Sequence, residues 1–425
     1  MTEIASDTVA RPGPSLGTEP PGDDRPHRRF RRWPRRRLWL RIALAAGLVV
    51  VLLAGTALIG AATTPGNESY TAKLADWLRA HHASALVTPI ESWYYQSQAP
   101  TKGGRPRALN PLPPTPPTTP PGPPAPPASP GPVVAPMPEA VAPHLAPPVN
   151  VPLVVSPALP SEGQWQAVGP LVHGLPGMYE AQFRADSTYT GQVTTAVWID
   201  PKVLSLSLVP GTQEPGGTWS EPPYLDGGAE AAAVAAFNGG FRFSDAHGGF
   251  YLDGRQAVPL RDGAASLVIS SNGGISVGAW GSEVSMTPDV KAVLQNLVPI
   301  VDNAKTAPSA TYQDASIWGS TVGSATVVPR SGLGVTASGA LVYVAGPALT
   351  ALTLAESLQR AGAVRAMALD LNPEWVTFNF FNHTDSSGVP SATKLYPSMR
   401  RPADRYLAPT RESRDFLAVS IPPSG

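Results

Sequence analysis

Ala235-Ala236-Phe237-Asn238-Gly239-Gly240-Phe241, followed by His247-Gly248-Gly249-Phe250-Tyr251-Leu252-Asp253-Gly254, is the stretch whose reading decides the fold. Val234 to Phe237 is a short apolar run, as a buried strand requires. It ends in Asn238-Gly239-Gly240, where glycine lets the backbone take φ > 0 or come close to another backbone or a ligand. Phe250 to Leu252 reads as a second strand, and Asp253-Gly254 is a hairpin-turn signal. Asn238 and His247 therefore stand at strand ends beside bare backbone. That arrangement serves either a site or two tight turns in a β-rich core.

Working outward, Val193 to Ile199 and Val203 to Val209 read as strands, the latter with Leu204, Leu206 and Leu208 on one face. Ser266 to Ser270 and Ile275 to Val277 form a hairpin through Asn272-Gly273. Leu333 to Thr336 and Leu341 to Val344 form another through Ser338-Gly339. Ala229 to Ala233 is a short helix. Thr353-Leu354-Ala355-Glu356 has the spacing of a capping box, and the helix it opens stops at Gly362. Val364 to Leu371, Trp375 to Phe381 and Phe416 to Ile421 complete the strands. Many hairpins with a few packed helices predict an α+β domain with mainly antiparallel or mixed sheet, over residues 161–425.

Upstream the composition changes. Residues 1–41 read as a disordered basic cytoplasmic tail, with eight arginines between Arg25 and Arg37 and no acid among them. Such a run by itself suits nucleic acid, but the next residues point to a membrane instead. Residues 42–62 are uncharged, and at about 1.5 Å per residue they reach roughly 30 Å, one bilayer crossing. Arginines on the N-terminal flank place that end in the cytoplasm and the C-terminal domain outside it. The expectation is a single-pass anchor in the cell membrane, the rival being a signal peptide cleaved near Gly60-Ala61-Ala62. Residues 63–109 carry Leu74, Trp77, Leu78 and then Ile90, Trp93, Tyr94 at helical spacing, predicting two juxtamembrane amphipathic helices. His81 and His82 are adjacent and so point to different helix faces, one expected buried and one solvated. Residues 110–160 hold 21 of the chain's 51 prolines and read as an extended linker of polyproline type, a spacer. The absence of cysteine excludes disulfides, Cys-zinc sites, Fe–S clusters and thiol catalysis. Oligomeric state is not written in any of these features.

Three groups could carry chemistry. The first is Asn238 and His247 with Gly239-Gly240. The second is Arg330-Ser331-Gly332-Leu333-Gly334, since a guanidinium offers phosphate planar, bidentate donors; pairing with a surface carboxylate is the other use of such an arginine. The third is Asp370-Leu371-Asn372-Pro373-Glu374. A carboxylate ending an apolar strand must be paired, protonated or metal-bound. Asp370, Asn372 and Glu374 alternate and would share one side of an extended segment. Their oxygens suit a hard divalent cation, Ca²⁺ or Mg²⁺, with Asp370 as ligand, although three fall short of a full shell.

These motifs, in this order, resemble the phosphodiester glycosidase family, the bacterial relatives of the "uncovering" enzyme that removes N-acetylglucosamine from a phosphodiester, and specifically its membrane-anchored actinobacterial type. Asn238-Gly239-Gly240-Phe241, Gly249 and Asp253-Gly254 match its opening strand and turn. Arg330 and Asp370 match its arginine and aspartate. The resemblance spans Val168 to Ser420. It implies a hydrolase acting on sugar-1-phosphodiester linkages of cell-envelope glycans. If the site is active, the residues themselves suggest that Asn238, Gly239, Gly240, Arg330 and Asn372 hold substrate and that Asp370, Glu374 and His247 carry catalysis; of these, His247, Asn372 and Glu374 are not among the residues that match the family. One departure is plain: Leu371-Asn372-Pro373-Glu374-Trp375 stands where the family has Gly-Gly-Gly-Ser-Ser. A stiff, bulky loop replaces a small flexible one. The alternative is therefore a catalytically inactive glycan-binding or structural envelope protein on the same fold.

Overall fold

The computed structural model describes residues 35–64, 69–83, 99–106, 108–113, 143–319, 325–383 and 390–422, with isolated positions between 85 and 97. In chain order the elements begin with α1 (Arg35–Thr63) and α2 (Tyr70–Ala80). Next come β1 (Gln166–Val172), β2 (Leu175–Phe183), β3 (Thr194–Ile199), β4 (Ser205–Val209), α3 (Gly227–Ala232), β5 (Ala233–Asn238) and α4 (Phe243–Ala246). A smaller region follows: β6 (Phe250–Leu252), β7 (Arg255–Val258), β8 (Ala265–Ser270), β9 (Ile275–Ala279) and β10 (Val290–Gln295). The chain continues through β11 (Pro299–Asp302), β12 (Lys305–Thr306), α5 (Pro308–Thr311), α6 (Ala315–Trp318), β13 (Val328–Thr336), β14 (Leu341–Leu349) and α7 (Ala351–Arg360). It closes with β15 (Ala363–Ala368), β16 (Phe378–Asn382), β17 (Ser391–Lys394) and β18 (Phe416–Ser420).

The strands form an eight-stranded sheet, β1-β2-β3-β14-β13-β15-β11-β12, and two five-stranded sheets, β7-β6-β10-β8-β9 and β17-β16-β5-β18-β4. Their ladders are antiparallel, as the hairpin-rich sequence implies, and the fold is α+β. One apolar core joins the eight-stranded sheet to both smaller sheets through Val197, Leu267, Phe237 and Tyr343, among others. The opposite face of the large sheet packs on α7 through Leu354 and Leu358. β5 is central in its sheet and buried along its whole length, which is why its sequence is continuously apolar rather than alternating.

Asp253 (φ 47°) and Gly254 (φ 82°) turn the β6–β7 hairpin as Asp-Gly predicts. Other expectations change. The cap of α7 is Thr350, whose hydroxyl accepts from the Thr353 amide while Thr353 reciprocates, so the box is Thr350/Thr353 and not Thr353/Glu356. The strand expected at Trp375 begins at Phe378, because Trp375 and Val376 bond back to Asn372 in a turn. His81 and His82 are both exposed, His81 stacked on Trp77 at 3.8 Å.

α1 contains a 26-residue segment, Leu38–Thr63, long and apolar enough to cross a membrane, with a mean hydropathy of 2.7. α2 is held at its start by Ser69, whose side chain accepts from the Ala72 amide. Tyr70 Oη donates to the Leu58 carbonyl (2.8 Å), and the Trp77 ring lies so close to Gly60 that no side chain fits there.

Both flanks of the proline-rich stretch bond to the same β-rich body. The Asn110 amide donates to Gln182 (2.7 Å), and the Leu145 amide donates to Asp200 (2.6 Å). Residues 1–34 and 114–142 lie outside the described residues, and with them the disordered-tail and polyproline expectations. Of the second juxtamembrane helix only isolated positions are described.

Candidate functional site

β5 and β18 run antiparallel with Asn238 opposite Phe416. The residues before Phe416 are therefore laid beside Gly239-Gly240. The Gly239 amide donates to the Asp415 carbonyl (3.2 Å), and a Cβ at Gly239 would strike the Asp415 carboxyl. A Cβ at Gly240 would press on Asn296. Neither glycine has positive φ. The pair is required for close approach, the second of the two uses open to it.

Asn238 itself is a structural hub. Its Oδ1 accepts from the Tyr343 hydroxyl (3.1 Å), the Ser331 hydroxyl (3.3 Å) and the Thr377 amide (3.2 Å). Its Nδ2 donates to the Gly239 carbonyl (2.8 Å) and to Ser331 Oγ (3.1 Å). Ser331 Oγ also accepts from the Asp370 amide (3.3 Å), so the hub sits directly behind Asp370.

The Asp370 side chain is buried. Its Oδ1 accepts from the amides of Leu371 and Asn372 (2.7 Å each), and its Oδ2 from Arg414 Nη1 (3.0 Å). Burial pushes its pKa up, against the pull of Arg414 and the two amides. The Arg414 guanidinium lies 4.0 Å over the ring of Trp375, which is itself buried. Asp415, next in the chain, is buried with Oδ2 unpartnered. Burial and then the neighbouring Glu214 push its pKa up to about 8, so the carboxyl is protonated at neutral pH. Glu214 Oε2 accepts from the Phe243 amide in the first turn of α4 (2.8 Å), and burial raises its pKa also. Arg242, just before α4, pairs with Asp76 of α2. Burial pulls its pKa down, but Asp76, Glu214 and Asp245 outweigh that, and the net shift is upward.

Arg330 stands across from Asp370 by the register of β13 and β15, which pairs Gly332 with Ala368. Its guanidinium is buried and donates to three carbonyls, of Leu349 (3.1 Å), Trp318 (3.2 Å) and Thr326 (3.4 Å). Burial lowers its pKa to about 10, with the charge of Asp370 opposing. It is not a surface ion pair.

Other expected residues are elsewhere engaged. Glu374 pairs with Arg400 (3.3 Å) and lies 3.9 Å from Arg401. Asn372 Oδ1 accepts from the Glu374 amide (2.9 Å). His247 is exposed, in a left-handed conformation (φ 51°) at the end of α4. No hydrogen bond or ion pair joins Glu374 or His247 to Asp370 among the described residues. Nor do three His, Asp or Glu side chains group there as a metal site. The oxygens of Asp370 and Asn372 proposed for a cation are occupied by neighbouring amides and Arg414.

Sequence reasoning missed Glu214, Arg242, Arg414 and Asp415. The signal for the last two was available. Once Phe416 to Ile421 is paired with Val234 to Phe237, whatever precedes Phe416 must lie at Gly239.

Fold and cluster together define an α+β protein with buried carboxyls and guanidiniums gathered at strand ends. Residues 231–370, from the lead-in to β5 as far as Asp370, match the family model of the phosphodiester glycosidases. No curated protein sequence matches the chain. Among solved structures it is similar to the catalytic domain of zebrafish N-acetylglucosamine-1-phosphodiester alpha-N-acetylglucosaminidase auto-inhibited by pro-peptide. That match has 14% identity, 60% of this chain, 87% of that chain and a TM-score of 0.38. A hypothetical protein from Synechocystis matches at 13% identity over 60% of this chain and 64% of that one, with a TM-score of 0.32. A putative exported protein from Burkholderia pseudomallei matches at 12% over 54% and 74%, with a TM-score of 0.31.

Proposed function

We propose that this protein is a membrane-tethered, extracytoplasmic hydrolase of sugar-1-phosphodiesters in cell-envelope glycans, with its centre at Gly239-Gly240. The observation that carries the reading is the cluster in which Arg414 pairs with Asp370, Asp415 lies against Gly239, and Glu214 and Arg242 bring their charges to bear, within the family-matched fold. A phosphodiester requires positive charge, which the arginines supply, and the glycines leave no side chain in its way. The sugar C1–O bond breaks and its electron pair leaves on the phosphate oxygen. Asp415, protonated at neutral pH, gives that oxygen a proton. Water adds to the oxocarbenium-like C1 and loses its proton to a carboxylate, Asp370 in this assignment. Asn238 and Arg330 support Asp370 from behind, and Glu374 and His247 have no assigned step. A Leu38–Thr63 anchor retained in the membrane gives the tether.

The second reading, a non-catalytic glycan binder, has one observation in its favour: Trp375 braces the arginine that occupies Asp370. Incubating the purified full chain with a soluble sugar-1-phosphodiester decides between them. Sugar release that is lost in Asp370→Asn supports the hydrolase. Binding without release, in parent and variant alike, supports the binder.

A further inference from the structure

α2 brings one of its own carboxylates to this cluster. The charge of Arg242 disfavours that of Arg414, whose side chain is 12% exposed. Arg414 is committed to Asp370, at 3.0 Å. Arg242 is paired with Asp76, a residue 166 positions earlier in the chain. The field of Asp76 reaches Arg414 as well. Two neighbouring guanidiniums are stabilised by an anion set against them, and the chain supplies that anion itself. The pair is reachable from solution, with Arg242 and Asp76 side chains 32% and 30% exposed.

We propose that Asp76 holds the place of the substrate's phosphate at Arg242, so that a phosphodiester enters by displacing α2. For the identity of the ligand this rests on the hydrolase reading; the displacement itself rests on the ion pair alone. Asp76 also bonds Arg79 on its own helix (3.2 Å), so the carboxylate has a second partner when it leaves. α2 stays tied to the end of α1 through Tyr70 at its start and through Trp77, the residue after Asp76, so the displacement is a local shift of α2 rather than a loss of the helix.

The test uses the full chain in detergent micelles and inorganic phosphate as probe. Asp76→Asn should bind phosphate about tenfold more tightly than the parent, about 1.4 kcal/mol, and adding Arg242→Gln should abolish the gain. Equal affinity in parent and Asp76→Asn overturns the proposal. In the unmodified chain, phosphate should speed tryptic cleavage at Arg79 as α2 is released, and an unchanged cleavage rate overturns it too. Neither readout needs turnover. Tight phosphate binding without sugar release would sink the hydrolase alone, and sugar release with an indifferent Asp76→Asn would sink the displacement alone.

Discussion

Two buried polar clusters meet at the bond between Asn238 and Gly239, and they are built on opposite terms. In the first, Asn238, Ser331, Tyr343 and Thr377 are neutral, and the Asn238 amide has partners on both its oxygen and its nitrogen. In the second, three carboxyls and two guanidiniums are packed together, a carboxyl oxygen of Asp415 has no partner, and Asp370, Asp415 and Glu214 all have raised pKa values. Neutral, fully bonded groups specify a fold. Titratable groups held in unfavourable surroundings are the kind from which catalysts are drawn, the role proposed above for the second cluster. The conspicuous asparagine of the sequence belongs to the first kind, and inconspicuous residues near the C-terminus belong to the second.

The sharpest way to break this contrast is to neutralise the second cluster. Asp415→Asn removes a proton donor but keeps the shape and neutral charge that Asp415 has at pH 7. Turnover should fall about 10³-fold, while the melting temperature at pH 7 should rise rather than fall, because the variant does not titrate. A large loss of stability at pH 7 would place Asp415 with the structural cluster. Asn238→Ala should do the reverse. It strips Tyr343, Ser331 and the Thr377 amide of their shared acceptor, and chemical denaturation should report a loss of roughly 3 kcal/mol.

A smaller effect follows from protonation. Asp415 and Glu180 are both raised to about 8, from a carboxyl range near 4. The folded chain therefore binds more protons than the unfolded chain between those values. The stability each group contributes is full below about pH 4 and is lost as pH climbs to about 8. The slope is at most about 1.4 kcal/mol per pH unit per group. Measured against Asp415→Asn, which does not titrate, the parent should lose stability with this slope as pH climbs through the window; parallel curves would remove the shift. Smallest of all, Glu374→Gln should change stability by under about 1 kcal/mol, since its hydrogen-bonded partner Arg400 is at the surface and the buried Arg401 lies at 3.9 Å, beyond hydrogen-bond reach. That variant and His247→Ala should both leave turnover unchanged. Loss of turnover in either would restore the loop after Asp370, or His247, to the site.

Much of the strand inventory was legible because hairpins announce themselves locally. Asp253-Gly254 demands its turn wherever the strands go, and Asn272-Gly273 and Ser338-Gly339 behave alike. Asp370 was legible because a carboxylate that ends an apolar strand needs a reason. Its partner was not, since Arg414 lies 44 residues on, in a segment with no pattern of its own. The alternation of Asp370, Asn372 and Glu374 misled because it assumes an extended segment. The chain turns there, with the Trp375 and Val376 amides bonded to Asn372, and the three oxygens part company.

By itself the sequence determined the periodicities: one helix long and apolar enough for a membrane, and antiparallel strands closed by glycine turns. Those are properties of neighbouring residues, and neighbours carry them in any context. Only the tertiary structure decided which side chains share a space. It brought Asp415 to Gly239, Arg414 to Asp370 and Asp76 to Arg242, because burial, pairing and field depend on distances that strand order sets and that no local spacing encodes.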